Sequence, residues 1–160
     1  MEIASVKTFT KVLAGITAVF LLFGAYIIFG PRLIVTDVRQ SVVSATERQE
    51  AFSAIVAGVG RGDFGGNQFK PIESTRLTDY EFTTVTVAVQ NKSVLRAEWA
   101  QVGISPVADD IVLVTGEPTD IPPFGTGELT VSILSHAGAA TDRPLWVDYY
   151  LFGHKGNAAR

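Results

Sequence analysis

Tyr80-Glu81-Phe82-Thr83-Thr84-Val85-Thr86-Val87-Ala88-Val89 is the stretch that decides the fold. Val85, Val87 and Val89 fall on one side of an extended chain, and Thr84, Thr86 and Ala88 fall on the other. That is the two-residue period of a half-buried strand, built from the β-branched residues that suit a pleated surface. Asn91-Lys92-Ser93 then reads as a turn. Further along, Ala97 to Ser105 reads as a second strand, carrying Trp99 and ended by Pro106. Ile111 to Val114 is a third. Ile121 to Gly127 is a connection, and Glu128 to Ser135 alternates again with Leu129, Val131 and Ile133 inward. Leu145 to Phe152 is the last strand, with Leu145, Val147, Tyr149 and Leu151 on one face and Trp146, Tyr150 and Phe152 on the other. Upstream, Leu33 to Val38 is the first. Six short strands separated by turn signals, with no βαβ alternation, predict an all-β antiparallel sandwich.

One helix interrupts this pattern. Ser44-Ala45-Thr46-Glu47 has the form of a capping box, a hydroxyl at the cap and a carboxylate three residues on. Phe52, Ile55, Val56 and Val59 follow at helical spacing, so an amphipathic helix is expected over residues 44–59, ended by Gly58 and Gly60. Its apolar face has a candidate partner in the Trp146, Tyr150 and Phe152 face of the last strand. Residues 60–79 are glycine-rich and polar, without a clear period, and read as a long loop.

Before the first strand, Val12 to Phe29 reads VLAGITAVFLLFGAYIIF, with no charge between Lys11 and Arg32. Twenty residues at 1.5 Å each reach about 30 Å, the thickness of a bilayer core. Tyr26 and Phe29 fall where aromatic rings favour the interface, and Gly30-Pro31 stops the helix. A cleaved signal peptide would have a shorter apolar run and a small-x-small site. Here Phe23 stands where that site needs a small residue. The expected organisation is a tail over residues 1–11, a single transmembrane anchor over 12–31 and an extracytoplasmic domain over 32–160. Lys7 and Lys11 before the helix nearly balance Arg32, Arg39 and Arg48 after it. A domain-sized segment crosses largely regardless of charge, so N-in is the simpler orientation in a plasma membrane.

Composition excludes several chemistries. The 160 residues contain no cysteine, which removes disulfides, thiolate catalysis and Cys-ligated zinc. It also leans towards a bacterial cell surface. Of 13 basic and 16 acidic residues, Lys7, Lys11 and Glu2 precede the apolar run, leaving a net charge of −4 after it. Nucleic-acid and polybasic lipid binding both need the opposite sign. His136 and His154 are too few for a His-rich metal site.

Each short motif has a plainer reading beside it. Gly60-Arg61-Gly62-Asp63-Phe64-Gly65 fits G-x-G-x-x-G, but it follows a helix and enters a loop, the reverse of a dinucleotide site. Arg61-Gly62-Asp63 is the integrin-binding tripeptide, or simply a flexible turn. Asn91-Lys92-Ser93 is a glycosylation sequon, or a hairpin turn. Asp109-Asp110, Glu117 and Asp120 lack the spacing and turn glycine of a calcium loop and read as a solvated turn. G-x-S-x-G is absent. No catalytic residue, cofactor site or metal site is expected. Trp99 is expected in the core. Trp146, Tyr150, Phe152, Arg61 and Asp63 are the candidate partner contacts.

Two segments, Val85-Thr86-Val87-Ala88-Val89-Gln90-Asn91-Lys92-Ser93 and Ile121-Pro122-Pro123-Phe124-Gly125-Thr126-Gly127-Glu128-Leu129-Thr130-Val131, carry a family resemblance. Over roughly Tyr80 to Phe152 the chain resembles immunoglobulin-like modules of bacterial envelope proteins, the FxLYD and CARDB type. That resemblance implies an immunoglobulin-like sandwich whose role is adhesive or structural and not enzymatic. The expectation is a membrane-tethered module that contacts an unknown protein or cell-wall partner. Two alternatives stay open, an accessory subunit of a larger membrane complex and an envelope enzyme.

Overall fold

The computed structural model describes residues 2–30 and 32–159. The helix stop expected at Pro31 and the placement of the Phe29 ring and of Arg160 lie outside it. Helix α1 spans Glu2–Phe29, so it begins well before the expected Val12. Nothing between Glu2 and Leu13 breaks a helix, and the hydrogen-bond ladder simply continues. Its Phe9–Tyr26 window has a mean hydropathy of 1.7 and none of it is buried in the chain, so α1 is long and apolar enough to cross a membrane.

Eight strands follow among the described residues: β1 Leu33–Ser44, β2 Tyr80–Asn91, β3 Ala97–Ile104, β4 Asp110–Thr115, β5 Thr119–Ile121, β6 Thr126–His136, β7 Leu145–Leu151 and β8 His154–Ala159. They form two antiparallel four-stranded sheets, ordered β1-β2-β6-β4 and β5-β3-β7-β8. One core fills the space between them. Val85, Val87, Val89, Leu129, Val131 and Ile133 come from the first sheet, and Val102, Ile104, Val147, Tyr149 and Leu151 from the second. The inward alternation expected for β2, β6 and β7 is the one observed.

Helix α2 spans Gln49–Arg61, not 44–59, and Ser44 does not cap it. Ser44 is still paired with Glu81 as the last rung of β1, and Ala45 N–H donates to Tyr80 O at 3.1 Å. The Ser44 hydroxyl instead accepts from the Thr46 amide and hydroxyl at 3.3 and 2.9 Å, closing a tight turn. The helix end also differs. Gly62, at φ 77°, sends its N–H to Val59 O, and Asp63 N–H reaches Gly58 O. This paired closure needs a left-handed residue, so Gly62 ends the helix in place of Gly58 and Gly60.

α2 packs on the outer face of the first sheet. Phe52 and Ile55 are buried with Tyr80, Phe82, Ile111, Val112 and Leu134 in a second core, and the Phe52 and Tyr80 rings lie 5.2 Å apart. Val56 stays exposed. The expectation that α2 covers the Trp146, Tyr150 and Phe152 face is therefore wrong, because that face belongs to the other sheet. The loop of residues 60–79 holds two short 3-10 turns and crosses the β4 edge, where Phe69 N–H donates to Ile111 O at 2.8 Å.

The Asn91 turn is a buried fastening. The Asn91 side-chain amide donates to the carbonyls of Leu95, Ile121 and Pro122 at 2.7, 3.2 and 3.1 Å, and its Oδ1 accepts from Ser93 N–H at 2.9 Å. With the residue fully buried, the sequon nitrogen faces protein and not solvent. Asn91→Ala strands these carbonyls and is expected to cost about 2 kcal/mol. Asn91→Asp, which keeps the size but turns a donor towards three acceptors into another acceptor, is expected to cost more at neutral pH. Thermal melts of the two variants check the order.

Candidate functional site

With α2 spent on the first sheet, the outer face of β3, β7 and β8 stays uncovered. Its centre is set by register: Gly103 faces Trp146, Gln101 faces Asp148, and Asp148 faces Asn157. The Trp146 indole lies flat over Gly103, where a Cβ would come within 2.3 Å of the ring. Its Nε1–H donates to Asp148 at 3.3 Å, and Asp148 also receives Asn157 Nδ2 at 3.2 Å and Lys155 at 3.3 Å. Tyr150 continues the same face, exposed.

Trp146 also forms a ridge between two concavities. An open cleft of about 710 Å³ lies on one side, where the β1 and β8 edges of the two sheets part beside Gln40, Thr141 and Arg143. A groove of about 370 Å³ lies on the other, against Phe69, Pro106 and Thr115. A flat aromatic ring beside fixed carboxylate and amide groups, flanked by concave space, suits a polar, partly apolar ligand surface.

The structure separates the residues singled out from sequence. Trp146 and Tyr150 share this face. Phe152 sits beyond it, at the β7–β8 turn. Arg61 and Asp63 lie behind the opposite sheet at the end of α2, ion-paired to each other at 2.6 Å. Trp99 is not in the core. It stands in a bulge where β3 shifts register between Ala97 and Ala100, exposed, with its N–H held by Asp120 Oδ1 at 3.0 Å. The bulge places both Glu98 and Trp99 outside, which period-two counting cannot anticipate.

The acidic residues expected in one solvated turn are also divided. Asp120 pairs with Arg96, and Asp109 lies 3.9 Å from Lys70. Asp110 is fully buried and bound bidentately by buried Arg143, Nη2 to Oδ1 at 2.6 Å and Nε to Oδ2 at 3.2 Å. Ser135 Oγ and Val107 N–H complete its shell at 2.7 and 2.8 Å. Burial raises the Asp110 pKa, but Arg143, Ser135 and Val107 outweigh it and hold the carboxyl below its usual range. Sequence reasoning missed this pair because its partners are 33 residues apart. His136 stacks on Tyr80, ring centroids 5.3 Å apart, at the end of the sandwich away from His154. Among the described residues no group of three or more His, Asp or Glu side chains could hold a metal ion.

No family model matches this chain, and no curated protein matches its sequence. Among solved structures it is similar to a FixG-related protein from Vibrio parahaemolyticus, with a TM-score of 0.36 and 10% identity, over 79% of this chain and 94% of that one. It is also similar to the cupredoxin domain of amoB from Nitrosocaldus yellowstonii, with a TM-score of 0.40 and 14% identity, over 80% of this chain and 82% of that one.

Proposed function

We propose that this chain is a non-enzymatic, membrane-tethered, immunoglobulin-like module of a bacterial envelope, acting through protein or cell-wall contacts. The observation that carries this is the uncovered outer face of β3, β7 and β8, with Trp146 and Tyr150 presented while α2 covers the other sheet. Strand order supports the immunoglobulin-like, FxLYD or CARDB, reading. β1-β2-β6-β4 against β3-β7-β8 matches the A-B-E-D and C-F-G sheets of a constant-type domain, with the three-residue β5 added at the edge. The closed hydrogen-bond shell of the Asp110 carboxylate supports a structural over a chemical role for its ion pair with Arg143, the one fully buried pair among the described residues. The N-in orientation, with residues 33–159 outside the plasma membrane, is the simpler outcome because a domain-sized segment crosses largely regardless of its charge.

Site-specific photo-crosslinking on intact cells tests both claims. A crosslinking residue at Tyr150 is expected to form defined adducts that Trp146→Ala reduces about ten-fold, the loss of one buried aromatic contact. The same residue at Arg48, beside α2, is expected to form none. Protease added to protoplasts should cut near exposed Arg61. Adducts at both positions, or none at Tyr150, would remove the contact surface, and full protection from protease would reverse the orientation.

A further inference from the structure

We propose that the helix-proximal end of the sandwich is itself a lipid-binding surface, with Val94, Phe124 and Phe152 entering the interfacial layer of the bilayer that α1 crosses. These three side chains are 51%, 63% and 67% exposed, high for large apolar groups. They sit at one end of the fold, on the β2–β3, β5–β6 and β7–β8 connections. Phe124 N–H donates to Ser93 O at 3.2 Å, and Ala97 opposes both Ile121 and Leu151.

The same end touches α1. The Phe152 ring meets the Phe23 ring edge to face at 6.2 Å, and Val94 N–H donates to the Tyr26 hydroxyl at 2.9 Å. Phe23 and Tyr26 both belong to the apolar window Phe9–Tyr26. Both also lie in the uncharged run from Val12 to Phe29, eighteen residues or about 27 Å at 1.5 Å each, nearly all of which is needed to fill a bilayer core of about 30 Å. Phe152, packed beside Phe23, then stands at the depth of that run and not above it. The connection between α1 and β1 is only Gly30 to Arg32, too short to lift the domain away.

The backbone gives an independent reason. Phe124 and Phe152 have φ of 55° and 48°, the left-handed region where glycine is the undemanding choice. That backbone cost is the same in water and in lipid, so a phenylalanine kept where glycine would relieve it is accounted for by its ring, which is unfavourable exposed to water and favourable in the bilayer interface. Trp99, also exposed and also at a left-handed φ of 55°, follows in the β3 bulge two residues after Ala97, and indoles concentrate at the headgroup level. Exposed Lys92 lies at the same end, its N–H donating to Arg32 O at 3.2 Å.

This rests on α1 spanning the membrane, so the test reads the helix and the tips separately. The chain has no cysteine, and a single cysteine introduced at any position is a unique spin-label site. The full chain is reconstituted in phosphatidylcholine vesicles with a label at 94, 124 or 152, at Leu21 within α1, or at Thr141 at the far end. Collision with a water-soluble nickel chelate is expected to be about five-fold lower at the three tips than at 141, as burial about 5–10 Å below the headgroups implies, with oxygen collision raised. Combining Phe124→Asp with Phe152→Asp should return the label at 94 to the value at 141. Lipid-like values at 21 with water-like tips overturn the seating alone. Water-like values at 21 overturn the span and the seating together. Tips hidden from nickel and oxygen alike, with dipolar broadening between labels, mean that a second copy covers them and overturn the proposal.

Discussion

Arg143→Met is expected to lower the stability of residues 33–160 by about 3–5 kcal/mol, the cost of leaving Asp110 buried as an unpaired charge. Against a typical stability of about 5–15 kcal/mol, the urea midpoint should drop by a large fraction. The pH dependence should reverse as well. In the native domain the Asp110 pKa is lowered, so its contribution is fully present above the unfolded carboxylate value of about 3.9 and is lost as pH falls through the folded value. Without Arg143, burial, the largest influence, is opposed only by the Ser135 and Val107 hydrogen bonds, and the folded pKa is expected to rise above the unfolded one. The variant then loses stability as pH rises through the carboxylate range and recovers as the buried carboxyl protonates. Asp110→Leu with Arg143→Met removes both charges and should restore most of the loss. An unchanged midpoint for Arg143→Met at neutral pH would mean that the ion pair has no structural role.

Phe52→Ala is expected to cost about 3 kcal/mol, from lost burial and from the cavity left against Tyr80 and Leu134. Phe52 is only 5% exposed, so the loss falls within the core between α2 and the first sheet. Ser44→Ala provides the contrast. As a helix cap it would cost about 1 kcal/mol, but its hydroxyl serves only an exposed turn, so less than about 0.5 kcal/mol is expected. Urea melts of the two variants separate these values. An unmoved midpoint for Phe52→Ala would mean that α2 does not hold to the sheet and is free to face a partner.

The mostly β character, the apolar helix and the inward residues of β2, β6 and β7 were legible from sequence alone, because each is a local periodicity repeated over many residues. β8 was not. His154-Lys155-Gly156-Asn157-Ala158-Ala159 has no strand propensity and pairs only because β7 offers its free edge, with Gly156 leaving room for the Tyr149 ring. The capping box failed because sheet pairing claimed Ser44 first, and tertiary pairing outweighs a cap worth about 1 kcal/mol. The bulge at Trp99 inverted a core assignment, since one extra residue shifts the alternation by a face.

The candidate surfaces divide along the same line. Sequence placed Trp146, Tyr150 and Phe152 together on the second face of the last strand; alternation holds for Trp146 and Tyr150, but β7 ends at Leu151 and Phe152 stands in the turn that follows. Sequence could not say which sheet α2 would cover, because its apolar stripe fits either outer face. Nor could it pair Asp110 with Arg143 or bring Val94, Phe124 and Phe152 to one end beside Phe23. Those juxtapositions depend on strand order and connection lengths. They exist only once two sheets have packed, because the chain distances that separate the partners carry no local signal of their meeting.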